Sequence, residues 1–319
     1  MHDLGFGAGV RGTVVTVGTF DGFHLGHRDV VDRLVERAAA LRLPSVLVTF
    51  EPHPLAVVRP DSAPLLLTPP LERLAALAAA RLDRVVVLPF TPALAALSPT
   101  SFVDEVLRER YGMSALLIGH DHGFGRGRSG DVEALVQLGA ARGFEVDVVE
   151  PVLAPDGAPI SSTRVRHAVR AGDLEAAAVL LGRRYAATGR VVAGAARGRT
   201  IGFRTLNVAL SDSRKLLPPL GVYAVRVATP TGSFGGMLNL GARPTFGDAA
   251  VGLEAHLFDA DGDWYGATVE VEFVARLRDI RPFADADALR AQLATDEQDA
   301  RRALTAFVES GKLTSSTRS

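Results

Sequence analysis

Residues 13–31 read TVVTVGTFDGFHLGHRDVV. The run TVVTV (13–17) is continuously apolar and β-branched, as in a buried strand. From Gly26 to Leu41 the apolar positions Val30, Leu34, Ala38 and Leu41 recur at helical spacing. Between strand and helix lies a tight glycine-bearing turn that carries two histidines three positions apart. This strand–turn–helix unit repeats through SVLVTF (45–50), RVVVLPF (84–90), ALLIGH (115–120) and FEVDVVE (144–150). The intervening stretches LERLAALAAA (71–80), FVDEVLRERY (102–111) and DVEALVQLGAAR (131–142) are amphipathic. Such alternation predicts an α/β fold, a Rossmann-like doubly wound parallel sheet with helices on both faces and ligands at the C-terminal strand ends.

After about residue 185 the pattern changes to short alternating segments: GRVVAG (189–194), GVYAVRVAT (221–229), SFGGMLNLG (233–241), LEAHLFD (253–259) and ATVEVEFVARLR (267–278). Turns such as PTG and DGD punctuate them, which predicts a C-terminal antiparallel β-barrel closed by a terminal helix over roughly 284–308. The expected domains are therefore 1–184 and 185–319, with only the tail TSSTRS read as disordered.

Composition narrows the chemistry. The chain has 319 residues, 47% of them apolar, and a formal charge of −1, which excludes a disordered polyelectrolyte and leaves no electrostatic footprint for nucleic acid. It has no cysteine, so thiolate nucleophiles, disulfides and Cys-based zinc sites are excluded and a reducing, cytoplasmic setting fits. Neither a secretory signal nor an apolar run approaching the roughly 18 residues of a membrane span is apparent. Among 35 basic residues only Lys215 and Lys312 are lysines, and neither follows a Walker-type glycine loop. Small-molecule partners are expected, with neither nucleic acid nor membrane; a homo-oligomer stays open.

The turn after the first strand is chemically distinctive. A helix N-terminus presents unpaired N–H groups and partial positive charge, so it attracts phosphate. There Gly26 would let a polyphosphate approach the backbone, and His24 and His27 would project to one side of the first turn. Two imidazoles could then stabilise charge on a breaking α–β phosphoanhydride. Each histidine alone could equally cap a helix or face solvent. In ISSTRVR (160–166), Ser161, Ser162 and Thr163 stand near a predicted helix start with Arg164 and Arg166 just inside. Such hydroxyls are often only N-caps, whereas arginine binds phosphate bidentately.

The stretch TVGTFDGFHLGH (16–27) resembles the H-x-G-H signature of nucleotidylyltransferases, in the form found in bacterial bifunctional riboflavin kinase/FAD synthetases. TFEPHP (49–54), LPFTPALAALSPTSFV (88–103), GHDHGFGRGRSGD (119–131) and ISSTRVR follow in that family's order. So do GRVVAGAARGRTIGFRTLNV (189–208), LPPLGVYAV (217–225), MLNLGARPTF (237–246), LEAHLFD and LRDIRPF (277–283) in the second half. The resemblance implies adenylyl transfer from ATP to FMN in the first domain, with His24, His27 and Arg166 catalytic. Gly18, Phe20, Asp21, Gly26, Ser161, Ser162, Thr163 and Arg164 would hold nucleotide, and Asp121, Phe124 and Arg126 would seat flavin or adenine. His122 departs from the phenylalanine expected there.

For the barrel the resemblance implies ATP-dependent phosphorylation of riboflavin. Thr205 would ligate Mg2+, Gly202 and Asn207 would line the nucleotide site, and Glu254 would take the proton of the 5′-hydroxyl. Glu254 alone could equally be an exposed strand residue. Where the family reads P-T-A-N, this chain reads Arg204-Thr205-Leu206-Asn207. Proline fixes φ and alanine leaves space, and arginine and leucine do neither. Two alternatives follow: a monofunctional FAD synthetase whose kinase-like barrel is impaired or only binds flavin, or a nucleotidylyltransferase for a flavin analogue. Amino-acid-activating ligases that share H-x-G-H are disfavoured by the near-zero charge and the lack of lysine in ISSTRVR, and other nucleotidylyltransferases by the kinase-like second half.

Overall fold

A computed structural model describes residues 12–120, 123–124, 130–193, 203–242 and 251–315. Contacts group the chain into two compact units, Met1–Ser162 and Thr163–Ser319.

In the first unit, β1 (Thr13–Val17), β2 (Ser45–Glu51), β3 (Arg84–Pro89) and β4 (Met113–Gly119) are followed by the two-residue strands β5 (Gly123–Phe124) and β6 (Gly130–Asp131) and then by β7 (Glu145–Val149). Five of them form a parallel sheet in the order β3-β2-β1-β4-β7. The chain thus lays β2 and β3 to one side of β1 and then crosses to place β4 on the other. In parallel α/β sheets such a reversal marks where ligands bind, here beyond the C-terminal ends of β1 and β4.

Every residue of β1 is buried because both sheet faces are covered. Val15 and Val17 enter one core with Phe102, Leu107 and Leu135; Val14 enters the other with Leu34 and Ala38 of the helix Leu25–Leu41. The stretch read as an ordinary helix from 102 to 111 is instead a wider turn over Phe102–Arg108, in which the Glu109 N–H reaches back five residues to the Asp104 carbonyl at 3.0 Å.

The second unit begins with the rest of the helix Ser162–Ala171 and the helix Leu174–Leu181. Then β8 (Ala186–Val192), β9 (Leu206–Leu210), β10 (Gly221–Thr229), β11 (Gly232–Ala242), β12 (Val251–Leu257) and β13 (Thr268–Arg278) close into a barrel in the order β10-β11-β12-β9-β8-β13. All pairings are antiparallel. Alternate residues, among them Tyr223, Val225, Leu238, Leu240, Leu253, Val271 and Phe273, are fully buried and fill the interior. Closure leaves the sheet without free edges.

The terminal helix packs against β10, β11 and β13, with Ala300 seated among Ala224, Met237, Phe258 and Val274. Arg278 grips the buried Asp296 through contacts of 2.6 to 3.1 Å and fixes the helix to β13. This helix spans Ala286–Ser315, longer than the apolar spacing predicted, because backbone bonds continue a helix after its apolar stripe fades. Two residues of the tail read as disordered, Thr314 and Ser315, belong to it. The strand β9 was not expected either. Its five residues follow a glycine-rich run, and its identity as a strand comes from pairing with β8 on one side and β12 on the other.

Candidate active sites

The turn after β1 combines strain with a strong internal clamp. Phe20 and Phe23 adopt positive φ values of 48° and 40°, and Gly22 between them has φ 89°. For a bulky residue such a conformation costs on the order of 1–3 kcal/mol and persists only where the surroundings over-determine it. Here both phenyl rings are buried, against Val31, Leu47 and Leu77. The fully buried Asp21 supplies the rest. Its Oδ2 accepts the Leu67 N–H at 3.0 Å, and its Oδ1 accepts the Thr68 N–H at 2.8 Å and the Thr68 hydroxyl at 3.2 Å. The Thr68 hydroxyl in turn accepts the Gly22 N–H at 2.7 Å. The Asp21 carboxylate therefore faces the protein and shapes the turn.

That turn delivers His24 to the N-cap of the helix Leu25–Leu41, where its Nδ1 accepts the His27 N–H at 3.3 Å. An accepting Nδ1 places the proton of a neutral imidazole on Nε2, which is then the ring's donor. The two rings stack with centroids 3.7 Å apart and planes 17° from parallel, and Phe20 leans on His27 at 5.1 Å. A Cβ on Gly26 would lie 3.3 Å from the His24 ring, so the missing side chain there is what gives His24 room. The Leu25 and Gly26 amides stand at helix positions that have no intrahelical acceptor. The arrangement can thus offer imidazole and amide donors to an anion at one point.

Gly18 closes β1, its N–H bonded to the Val48 carbonyl at 3.0 Å. Ser162 donates to the Asp21 carbonyl at 2.8 Å, which ties that residue to the turn, and Ser161 precedes it half-buried. Thr163, Arg164 and Arg166 lie on the helix that starts at Ser162; Thr163 is exposed, and Arg166 is buried one turn beyond Ser162 on the same helix face. Phe124 belongs to β5, paired with Gly130. Asp121, His122, Arg126 and Gly202 lie outside the described residues.

The sequence reading missed Arg73. Its side chain is 1% exposed and its guanidinium donates to the Thr19 carbonyl at 3.2 Å, the Phe50 carbonyl at 2.9 Å and Glu51 Oε2 at 3.2 Å. It thereby joins the C-terminal ends of β1 and β2 next to the turn. The available signal was an arginine four residues before Leu77, on the apolar stripe of the helix Pro70–Ala78.

In the barrel, β9 and β12 bring the second constellation together. Glu254 stands opposite Asn207 in the antiparallel register, so the two side chains share a face. Thr205, two residues before Asn207, donates its hydroxyl to Glu254 Oε1 at 2.7 Å. On the far side of Glu254 the register places Asn239 of β11, exposed, which completes a polar row Asn207–Glu254–Asn239 across the outer barrel face. His256, on the same strand face as Glu254, contacts the Arg204 carbonyl at 2.7 Å. Neither Asn239 nor His256 was singled out from sequence, although the two-residue spacing in LEAHLFD marks His256 as a neighbour of Glu254.

Among the described residues no three His, Cys, Asp or Glu side chains cluster as an all-protein metal cage, and no helix is long and apolar enough to cross a membrane. Family models for FAD synthetase and riboflavin kinase match residues 8–164 and 181–304. A bifunctional riboflavin kinase/FMN adenylyltransferase of Pseudomonas fluorescens is 41% identical over 91% of this chain and 93% of its own length. Its Escherichia coli (strain K12) counterpart is 39% identical over 91% and 92%. A crystal structure described as a macrolide-efflux protein from Streptococcus pneumoniae has a TM-score of 0.82 and 33% identity, over 91% of this chain and 94% of that one. Both relatives carry both activities in their names, which disfavours the monofunctional alternative. The chain belongs to the bifunctional riboflavin kinase/FMN adenylyltransferase family.

Proposed function

We propose that this protein makes FAD from riboflavin in two ATP-dependent steps, phosphorylation at the barrel and adenylyl transfer at the parallel sheet. The single observation that carries the reading is that one chain holds both a stacked His24–His27 pair at a helix N-terminus beyond β1 and a hydrogen-bonded Thr205–Glu254 pair on the barrel. We assign adenylyl transfer to residues 1–184 and phosphorylation to 185–319. This boundary keeps the hydroxyls and arginines of ISSTRVR with the nucleotidylyl step.

In the kinase step the riboflavin 5′-oxygen bonds to the γ-phosphorus of ATP, the bond to the β-bridging oxygen breaks, ADP leaves and the hydroxyl proton passes to Glu254. Asn207, opposite Glu254 in the register, would line the nucleotide site together with Gly202. The Thr205 hydroxyl, beside the Glu254 carboxylate, is a hard oxygen donor of the kind Mg2+ takes together with substrate phosphates. Thr205 would hold that ion, which when bound neutralises phosphate charge.

In the adenylyl step an FMN phosphate oxygen bonds to the α-phosphorus of ATP and pyrophosphate leaves, with no protein nucleophile. His24 Nε2–H, His27 and the Leu25 and Gly26 amides stabilise the charge that grows on the leaving group. Gly18, Phe20, Asp21 and Gly26 form or shape this turn. Ser161, Ser162, Thr163, Arg164 and Arg166 bind phosphate oxygens, and Asp121, Phe124 and Arg126 contact flavin or adenine.

Riboflavin, ATP and magnesium incubated with the protein and separated by chromatography test the reading. FMN followed by FAD is the expected result. FAD only from supplied FMN would refute the kinase assignment, and no flavin product would refute both.

A further inference from the structure

We infer that His256 is a positioning residue for riboflavin phosphorylation, its imidazole holding the main chain at Arg204 so that the Thr205 hydroxyl meets Glu254; this rests on the kinase assignment of the barrel. The register of β9 against β12 runs Val208–Leu253, Asn207–Glu254, Leu206–Ala255 and stops there. Continued by one step, it would set Thr205 against His256. At that point a side chain takes over from the backbone ladder, because His256 Nδ1 lies 2.7 Å from the Arg204 carbonyl oxygen. A carbonyl only accepts, so Nδ1 carries the proton and donates.

The imidazole is itself held on two sides. The Phe203 ring meets it edge-on at 5.2 Å and the Phe258 ring at 5.9 Å. Residues 203, 204 and 205 are thus each tied to one strand face: by a ring contact, by a carbonyl and by the Thr205–Glu254 hydrogen bond. Glu254 and His256, two residues apart, present these contacts on one face of β12.

This arrangement also accounts for the departure at position 204. The contact uses the carbonyl, which proline and arginine both possess. The arginine side chain is 53% exposed and lies 3.9 Å from the fully exposed Asp261 carboxylate, a geometry of little energetic weight. What the site demands at 204 is a main-chain acceptor in the right place, and His256 determines that place.

The test compares His256→Phe, His256→Asn and His256→Gln in the full chain. Phenylalanine keeps the aromatic packing and deletes the donor. Asparagine places an amide N–H where Nδ1 stands, whereas glutamine carries its amide one bond further out. Riboflavin kinase kcat is expected to fall roughly 10- to 100-fold in His256→Phe and His256→Gln, the usual scale for groups that orient a catalytic residue. His256→Asn should recover most of it, with the riboflavin KM little changed in all three. FMN adenylylation and the thermal unfolding midpoint, measured on the same preparations, should match the parent. Parental kcat in His256→Phe or His256→Gln, or equal loss in His256→Asn and His256→Gln, overturns the role of His256 alone. A parent chain that never phosphorylates riboflavin overturns the kinase assignment, and this role with it.

Discussion

Replacing Asp21 by asparagine tests whether the first site depends on a strained turn held from behind. The substitution keeps shape and exchanges one carboxylate oxygen for an NH2 group. The Asp21 carboxylate accepts from the buried Leu67 and Thr68 amides and from the Thr68 hydroxyl. An asparagine oriented to serve Thr68 turns its NH2 toward the Leu67 N–H and orphans it. A buried donor left unsatisfied costs about 1–3 kcal/mol. For a unit of this size, about 2 kcal/mol corresponds to a fall of roughly 4–8 °C in its unfolding midpoint. The turn loses part of what compensates the positive φ of Phe20 and Phe23, so the His24 N-cap shifts. Misplacement of reacting groups by about 1 Å costs on the order of 100-fold in rate. Calorimetry of the full chain should show the lower midpoint in the parallel-sheet unit's transition, with FMN adenylylation reduced tens of fold and riboflavin phosphorylation intact. An Asp21→Asn protein with parental adenylylation and an unmoved transition would refute the argument, as would equal loss of both activities.

Three further outcomes follow from the geometry. Gly26→Ala brings a methyl group to 3.3 Å from the His24 ring; since that ring must give by a few tenths of an ångström, adenylyl transfer should slow by roughly tenfold while kinase activity persists, as flavin chromatography would reveal. Arg73→Met removes the donor shared by the Thr19 and Phe50 carbonyls and Glu51, and denaturant unfolding should show a loss of about 1–3 kcal/mol, the cost of leaving buried acceptors unsatisfied. At Asp83, hydrogen bonds from the Ser45 N–H and hydroxyl hold the carboxyl below its ordinary range. A depressed folded-state pKa contributes stability above the unfolded value that is lost as pH falls through the folded one. Unfolding midpoints should therefore drop with acidification below about pH 4, and Asp83→Asn should flatten that part of the profile.

Much of the molecule was written in short windows of sequence. The five parallel strands and the helix after β1 follow from β-branched runs and 3.6-residue spacing, because burial on one or two faces imposes those periods locally. The histidine pair at a helix start was legible for the same reason: strand end, turn and helix cap are adjacent in the chain. The direction of the Asp21 carboxylate was not, since it points into Leu67 and Thr68, 46 and 47 residues away. Nor was the burial of Arg73, whose guanidinium meets Thr19, Phe50 and Glu51, 54, 23 and 22 residues away.

The sequence by itself determined the two modules, their order and the residue types available for phosphate chemistry. The tertiary structure alone decided which partners those residues meet. Barrel register sets Thr205 and Asn207 beside Glu254 and aims His256 at the Arg204 carbonyl, and it comes from closing six strands around one interior. Closure couples every strand to two neighbours at once, so the alignment of any pair depends on packing around the whole ring, which no local window of residues contains.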